Sequence, residues 1–503
     1  MKAVASRLYG KPLALLLLAV MLGAVHQWLF FEHEPGVSFP LFILLFYLFM
    51  YAGARDKLRP ATGFSYYLGA VVGLLALSFL LFDSAAFRGL NTLAVPGLAL
   101  VHMAYCLNWR RPDWGKAGLL LIAIDHAVSQ NLRHWKTALE LLFTSVAGRM
   151  EAKRRETLKG VLLGLAIAAP LLALVISLLA SADGIFRQVL DGIPGWFTEI
   201  SLSEGGIRLL WTILVGLGLF GYIYGFVEPD RGFEEKTGMA VRDKREDADA
   251  PLMDFGIKPV TAATVLGLVN VVYVLFVALQ FSYLFGAWEG VLPEGVTYAD
   301  YARKGFSELV AVTALNYFLL LASLTAADGP ARGAARFNRW MLYLLVGCSC
   351  VMLYSAYSRL ALYEEAYGYT VLRFLVHAFM IFLALLLVLA AIRVRLPRFP
   401  LMRCYIVLGL GAYVLLNYIG MESVITRLNI QRYEQSGKLD DLYLFSLSSD
   451  ALPHLAKLDS AAAPDTEERL RRKLELLLEK KDWQSFNLAD YRAEQALNKR
   501  LAD

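Results

Sequence analysis

The chain contains many apolar blocks of about 20 residues, each bounded by charged residues, Gly or Pro. A helix of about 20 apolar residues crosses the hydrocarbon core of a bilayer, where lipid offers no hydrogen-bond partners to an exposed backbone. The composition agrees, because 57% of the residues are hydrophobic and 18% are charged, whereas soluble domains carry about 25% charged residues. We therefore predict an all-α, polytopic transmembrane helical bundle rather than a soluble enzyme.

Eleven blocks are predicted to span the membrane. The second block is short, and the fourth contains Pro96 followed by Gly97, so these two depart from an uninterrupted apolar helix. The predicted spans are Pro12 to Phe31, Val37 to Ala54, Gly63 to Phe82, Leu90 to Leu107, Gly160 to Ala180, Ile207 to Phe226, Val260 to Leu284, Phe306 to Ala326, Trp340 to Leu362, Leu372 to Ile392 and Cys404 to Gly420.

The distribution of Lys and Arg predicts the orientation of the bundle. Lys2, Arg7 and Lys11 precede the first block, which runs on without a small-x-small cleavage site, so we interpret it as a retained signal anchor with a cytoplasmic N-terminus. Lys and Arg accumulate on the cytoplasmic side of membrane proteins. The loops placed inside by this assignment are all basic, and an odd number of spans puts the C-terminus outside the cytoplasm.

We divide the chain into four parts. Residues 1–107 hold the first four spans, 108–159 form a cytoplasmic insertion, 160–420 hold spans five to eleven, and 421–503 form an extracytoplasmic helical tail. In the tail, helices are predicted to begin at Asp450 and at Asp465, where Asp465 and Glu468 have capping-box spacing. A core of about 80 residues is marginal, so we expect the tail to lean on the outer face of the bundle. The apolar stripe of its middle helix is Leu470, Leu474, Leu477 and Leu478.

The cytoplasmic insertion contains an amphipathic helix with apolar residues at three- and four-residue steps. Its apolar face is predicted to lie on the inner leaflet or to cap the bundle, and docking of a partner is the alternative. This face consists of Leu132, Trp135, Leu139, Leu142, Phe143, Val146 and Met150.

The second half of the chain resembles a bacterial family of multi-pass membrane proteins that is catalogued only as a domain of unknown function. The segments that carry the resemblance are Asn429-Ile430-Gln431-Arg432-Tyr433, Gly437-Lys438-Leu439-Asp440, Leu447-Ser448-Ser449-Asp450-Ala451, Asp482-Trp483-Gln484-Ser485-Phe486-Asn487-Leu488 and the stretch from Tyr298 to Leu309. The resemblance implies a bacterial plasma (inner) membrane location and a shared architecture. It implies no activity and no catalytic residues.

Ionisable and tyrosine side chains concentrate at the outer ends of spans eight to eleven. Such groups are costly near hydrocarbon unless they are paired or solvated, so the cluster either lines an outward pocket for an anionic or amphiphilic ligand or consists of border anchors and interhelical pairs. We call it the outer polar cluster: Tyr298, Tyr301, Arg303, Lys304, Glu308, Arg359, Glu364, Glu365, Arg373, His377 and Glu422.

Other motifs point to structure rather than chemistry. Asn270, Gln280, Asn316 and Asn417 are expected to form hydrogen bonds between membrane helices. The cysteines and histidines lack metal-ligand spacing, so we expect no metal and no cofactor, and the basic loops are explained by topology without nucleic acid.

Two function classes therefore remain open. The first is a non-enzymatic scaffold or signalling accessory that contacts membrane lipids and a membrane protein partner. The second is a transporter or lipid-handling protein that uses the outer polar cluster. A membrane-embedded transferase ranks below both, because the sequence shows no acid/base or metal constellation.

Overall fold

A computed structural model describes residues 12–147, 164, 204–229, 258–287, 306–327, 332–459, 465–479 and 482–502. Nine helices within these residues are long and apolar enough to cross a membrane. This confirms an all-α, multi-pass bundle. The fifth predicted span lies outside the described residues, and the eighth corresponds to a helix whose described side chains form an apolar stretch over Leu315–Leu324.

The first half of the bundle contains four spans, the insertion and one further span. Thr62 caps the third helix: its side-chain oxygen accepts a hydrogen bond from Ser65 N, and the Ser65 hydroxyl accepts one from Thr62 N. The helices are α1 Pro12–Phe30, α2 Ser38–Ala54, α3 Gly63–Leu81, α4 Ala85–Leu107, α5 Gly118–Asp125, α6 Asn131–Ala147 and α7 Glu204–Val227, with a π turn at His126–Gln130 between α5 and α6.

The second half of the bundle contains five helices, and a unit of shorter helices follows it. The bundle helices are α8 Pro259–Ala287, α9 Phe306–Ala327, α10 Arg332–Tyr367, α11 Val371–Arg395 and α12 Leu401–Tyr418. The following C-terminal unit contains α13 Met421–Ser436, α14 Asp441–Ser446, α15 Leu452–Leu455, α16 Thr466–Leu478 and α17 Leu488–Ala502.

The bundle has two separate hydrophobic cores. One is built from α1 to α7 around Phe79 and Phe220, and the other from α8 to α12 around Leu342 and Leu387. Helix α12 joins the halves, because its residue Tyr413 also packs against the first core. Polar bonds reinforce this contact, since Asn91 on α4 donates to Asn417 on α12 at 2.6 Å.

Glycines set the closest helix contacts of the first half. A Cβ on Gly23 of α1 would lie 2.9 Å from the backbone nitrogen of Gly216 on α7, and a Cβ on Gly216 would lie 2.8 Å from Val20 Cα. Gly221, further along α7, faces the start of α6, where an added Cβ would lie 2.5 Å from the carbonyl oxygen of Asn131. The insertion is therefore packed directly against a membrane helix.

The C-terminal unit has a core of its own that continues into the bundle. Ile425, Leu455 and Leu470 are fully buried, and Phe87 of α4 joins the same cluster. The final helix, α17, contributes Ala493 and Leu497 to this core. The predicted capping box is wrong: Asp465 has φ +59° and makes no side-chain cap, because its left-handed backbone turns the carboxylate away from the first helical amides. Leu478, assigned to the apolar stripe, is 56% exposed.

The loops at the two ends of the bundle differ in charge. One end, which we call the basic end, carries Arg55, Lys57, Arg59, Arg110 and Arg111. The C-terminal unit lies at the other end, on the α1–α2 and α3–α4 loops. Arg59 ties two loops of the basic end together, since its Nε donates to the carbonyl oxygen of Asn108 at 2.9 Å.

Candidate functional site

The structure describes six side chains of the outer polar cluster. Tyr298, Tyr301, Arg303 and Lys304 lie outside the described residues, as does the side chain of Glu308. The described members are Arg359, Glu364, Glu365, Arg373, His377 and Glu422. They belong to α10, α11 and the first turn of α13, and the side chains of Glu364, His377, Arg373 and Glu422 enter three different local contacts.

The first contact joins Glu364 on α10 to His377 on α11. Glu364 Oε2 lies 3.1 Å from His377 Nδ1, and both side chains are largely buried. Tyr357, two turns before Glu364, packs its ring 4.5 Å from the imidazole. The second atoms of the pair, Glu364 Oε1 and His377 Nε2, have no hydrogen-bond partner among the residues that the structure describes. Within the described part of the chain, one carboxylate oxygen and one ring nitrogen of the pair are therefore without a hydrogen bond.

The second contact uses Arg373 to cap the C-terminus of α10. The guanidinium donates to the carbonyl oxygen of Gly368 and lies 4.2 Å above the ring of Tyr363. Gly368 has φ +82°, the left-handed conformation that ends many helices at glycine. Arg373 thus satisfies a helix-end carbonyl and opposes the negative end of the helix dipole, which favours the structural interpretation of this residue over ligand binding.

Arg432 of the C-terminal unit completes this cap. Its Nε donates to the carbonyl oxygen of Glu365 at 2.8 Å, and its Nη2 donates to that of Ala366 at 2.6 Å. Asn429 on the same helix accepts from Tyr369 N at 3.0 Å and donates to Tyr369 O at 2.9 Å. The stretch Asn429 to Tyr433 was singled out in the sequence without a role, and two of its residues hold the C-terminal unit on α10.

The third contact places Glu422 in the C-terminal unit. Glu422 is 5% exposed, and its Oε2 accepts from Ser448 N at 2.6 Å. Next to Ser448, Ser449 N donates to Asp83 Oδ2 at 3.2 Å, while Asp83 N donates to Asp450 Oδ2 at 2.8 Å. Sequence reasoning assigned no role to Asp83, which lies 367 residues from its partner.

Charge accumulates where these carboxyl groups meet. Arg88 pairs with Asp83 at 2.9 Å. Burial is the largest cause that raises the pKa of Asp450 to about 7, and the neighbouring carboxylates of Asp83 and Glu422 contribute in the same direction. Burial also raises the pKa of Asp83, although Arg88 counteracts the shift. The contact between the C-terminal unit and the α3–α4 loop therefore contains more acidic than basic groups, and it titrates near neutral pH.

The C-terminal unit also holds the α1–α2 loop. Val37 N donates to Phe486 O at 2.9 Å, and His33 Nδ1 lies 3.2 Å from Asp482 Oδ2. A Cβ on Gly36 would lie 2.5 Å from Phe486 O, so glycine permits this backbone contact. The unit is thus fixed to the first half of the bundle through two loops and to the second half through α10.

Three of the four predicted interhelical amides are confirmed, and the side chain of Gln280 lies outside the described part. Asn316 donates to Ser349 Oγ at 2.8 Å, Asn270 donates to Met341 O at 2.8 Å, and Asn417 accepts from Asn91. These bonds join α9 to α10, α8 to α10 and α4 to α12. Interhelical hydrogen bonds of this kind stabilise helix packing in lipid.

The insertion helix α6 presents a different face to the bundle from the one expected. His134 and Ala138 are buried against α7, while Leu132 and Leu142 of the predicted apolar face are exposed. Trp135 and Leu139 are half-buried, Phe143 is buried, and the side chains of Val146 and Met150 lie outside the described part. Contact between α6 and lipid head groups stays a prediction, and the exposed leucines are compatible with it.

Comparison with known proteins places the chain in a family. A family model described as a domain of unknown function, DUF4153, matches residues 69–458, which covers more than half of the chain. No curated protein and no solved structure matches the chain. The match extends from the third span to the helical unit that docks on α10, which is wider than the resemblance in the second half alone. The chain therefore belongs to the DUF4153 family.

Proposed function

We propose that the protein is a non-enzymatic membrane scaffold or signalling accessory of the bacterial plasma membrane, with its C-terminal unit outside the cytoplasm. The observation that carries this proposal is the attachment of that unit to both halves of the bundle, through Val37 and Asp83 on one side and Ala366 and Tyr369 on the other. A transporter that alternates access moves one half against the other. A unit bonded to both halves opposes such motion and instead provides a fixed platform.

The surface of this platform is suited to contact with a partner. Leu442, Leu476 and Leu478 expose more than half of their area, and Arg471 and Arg472 are exposed on α16. Exposed apolar side chains beside arginines are typical of protein interfaces. The basic end supports the orientation, because basic loops face the cytoplasm and the C-terminal unit lies at the opposite end.

The proposal is tested by measuring the distance between the halves. Spin labels at Leu90 on α4 and Leu372 on α11, both exposed, are placed in protein reconstituted in lipid nanodiscs. A scaffold gives one narrow distance distribution by double electron-electron resonance. Two populations that differ by about 5 Å or more would contradict the proposal, since transporter halves move on that scale.

A matched pair of variants links this rigidity to the C-terminal unit. Gly36→Val places side-chain atoms against Phe486 O and is expected to broaden the distribution by releasing the unit. Gly89→Ala, at the same end of the bundle, meets no atom within 4 Å and is expected to leave the distribution unchanged. An unchanged distribution in Gly36→Val would show that the C-terminal unit does not hold the halves.

The second candidate function is transport or lipid handling at the outer polar cluster. The specific observation in its favour is the buried Glu364–His377 pair, two atoms of which have no hydrogen-bond partner among the residues that the structure describes. Ionisable pairs within membrane helices often belong to substrate or proton paths. A double population in the distance measurement would favour this function over the scaffold.

A further inference from the structure

A cavity of about 450 Å³ lies within the first half of the bundle, between α1, α2, α4 and α7. Its volume falls in the range of small-molecule sites. Aromatic and aliphatic side chains make up most of its lining, among them Phe30, Phe39, Phe42 and Phe46. We call it the aromatic cavity. It is separate from the outer polar cluster, whose described residues belong to the other half and the C-terminal unit.

One wall of the aromatic cavity is an ordered aromatic group around His26. The imidazole lies 4.8 Å from the ring of Phe30 and 4.8 Å from that of Phe42, the second in an edge-on arrangement. Trp211 on α7 donates to His26 Nδ1 at 3.2 Å. Edge-on aromatic contacts and an indole hydrogen bond hold these rings in place, so the cavity has a defined shape.

The aromatic cavity opens sideways between α4 and α7. Thr92 and Pro96 on α4 and Trp211 on α7 line it and are exposed, and Leu93, beside Thr92, is 79% exposed. Both helices are membrane-spanning by length and composition, so this opening faces hydrocarbon rather than water. Pro96 has no N–H to donate to the carbonyl of Thr92 one turn earlier, which leaves a polar acceptor at the opening.

The chemistry of the lining selects an apolar occupant. The charged groups beside the cavity are paired, since Arg208 binds Glu32 at 2.7 Å and His33 binds Asp482 at 3.2 Å. The polar side chains in the lining, His26, His33, Thr92 and Trp211, are outnumbered by apolar ones, so the walls favour an apolar occupant over a cluster of water molecules, each of which needs two to four polar partners. If the cavity were empty, its apolar walls would lose dispersion contacts. The apolar molecules next to the opening are the acyl chains of the membrane lipids.

We propose that the aromatic cavity binds one acyl chain of a membrane phospholipid, which enters between α4 and α7. The chain packs against the rings around His26 and ends below the α1–α2 loop. That loop is held by the C-terminal unit through Val37 and Phe486. The proposal concerns a ligand and is independent of the scaffold function, because a rigid bundle accommodates a structural lipid equally well.

The test uses a photoactivatable phosphatidylcholine that carries a diazirine in one acyl chain, in nanodiscs of dioleoyl phosphatidylcholine. After illumination, labelled residues are mapped by mass spectrometry. We expect adducts on the cavity residues Phe42, Val215 and Leu219 at least as frequent as on the lipid-facing residue Leu93. Adducts confined to lipid-facing residues would overturn the proposal.

Variants of adjacent residues on α7 make the test specific. Val215→Phe fills the cavity and is expected to lower the adducts on Phe42 and Leu219 about fivefold or more, while adducts on Leu93 stay constant. Leu214→Phe adds an aromatic ring to α7 on an exposed residue that does not line the cavity, and it should change neither. Equal labelling of Phe42 in wild type and Val215→Phe would overturn the proposal.

A second variant keeps the proposal testable if Val215→Phe does not fold. Thr92 is exposed at the opening, so Thr92→Phe narrows the entrance without entering the core. It is expected to lower the cavity adducts in the same way. Elution as a single species and an unchanged Tm identify the variants that are folded, and a folded Thr92→Phe with wild-type labelling of Phe42 would also overturn the proposal.

Discussion

Asp83 and Asp450 meet where the C-terminal unit contacts the bundle: Asp83 N donates to Asp450 Oδ2 at 2.8 Å, and the amide next to Asp450, that of Ser449, donates to Asp83 Oδ2. Two carboxyl groups share one buried site with a single bonded arginine, Arg88. Backbone amides favour the ionised forms, whereas burial and mutual repulsion favour the neutral forms. Burial is the largest influence on both groups.

This arrangement predicts that the C-terminal unit binds more weakly as the pH rises. The pKa of Asp450 is about 7 in the folded protein and 3.8 in its ordinary state, so the folded state holds a proton that the unfolded state releases between these values. Stability therefore falls as pH rises from about 4 to 7 and levels off above 7. Thermal unfolding of the reconstituted protein at pH 5, 6, 7 and 8 measures this slope.

Asp450→Asn is the matched variant for this slope. The amide oxygen of Asn still accepts from Asp83 N, but the side chain does not ionise. We expect the stability advantage of the variant over wild type to grow from pH 5 to pH 7 and to stay constant between pH 7 and pH 8. A wild-type slope in Asp450→Asn would show that another group is responsible.

The Glu364–His377 pair is expected to stabilise the packing of α10 on α11. Removing one partner leaves a buried polar group unsatisfied, so Glu364→Gln and His377→Leu should each lower the free energy of unfolding by about 1–3 kcal/mol. Replacing both with leucine removes the need for partners and should recover at least half of the loss. Chemical unfolding in mild detergent measures all three variants.

The neighbouring carboxylate is the control for this pair. Glu365 is exposed, so Glu365→Gln is expected to change the free energy of unfolding by less than about 0.5 kcal/mol. If the double leucine variant is as unstable as the two single variants combined, the two residues act independently and the pair does not stabilise α10 against α11.

The sequence predicted the membrane helices well, because hydropathy over about 20 residues reflects the bilayer and needs no tertiary information. The observed helix ends differ from the predicted ones where a helix is longer than its apolar block. Helix α10, for example, begins at Arg332 and ends at Tyr367. The buried surface of α6 overlaps the predicted apolar face only in part. It includes Phe143, but it also uses Ala138 and an aromatic contact between His134 and Tyr224, which hydrophobic periodicity does not identify.

The site was less predictable than the fold. Glu364 and His377 both belong to the cluster predicted at the outer ends of the spans, but nothing in the sequence pairs them with each other. For Arg373 the sequence leaves a ligand pocket and a structural contact both open, and its helix cap follows only once Gly368 is known to have a left-handed backbone. Asp83 and Asp450 meet through tertiary structure alone, since neither residue lies in a motif of defined spacing.

Gly221 is expected to permit the close contact between α7 and the start of α6 in the insertion. Gly221→Ala places a Cβ 2.5 Å from Asn131 O, a backbone atom that cannot rotate away, and overpacking of this kind costs about 1–3 kcal/mol. Gly218→Ala on the same helix meets no atom within 4 Å and should be neutral or stabilise the helix slightly. Protease cleavage within the insertion, measured in inside-out vesicles, should accelerate only in Gly221→Ala, and equal cleavage in both variants would refute the contact.

The orientation of the chain is the last prediction. Basic loops at one end and the C-terminal unit at the other imply that a reporter cysteine at Asp503 is extracytoplasmic and one at Asp243 is cytoplasmic. Cys106, Cys348, Cys350 and Cys404 are first replaced by serine or alanine, since all four are free. In intact cells a membrane-impermeant maleimide should label Asp503→Cys at once, and Asp243→Cys only after the membrane is opened. Labelling of both sites from the same side would require an even number of crossings between them. It would then overturn the count of eleven spans, because five crossings separate the two residues in that assignment.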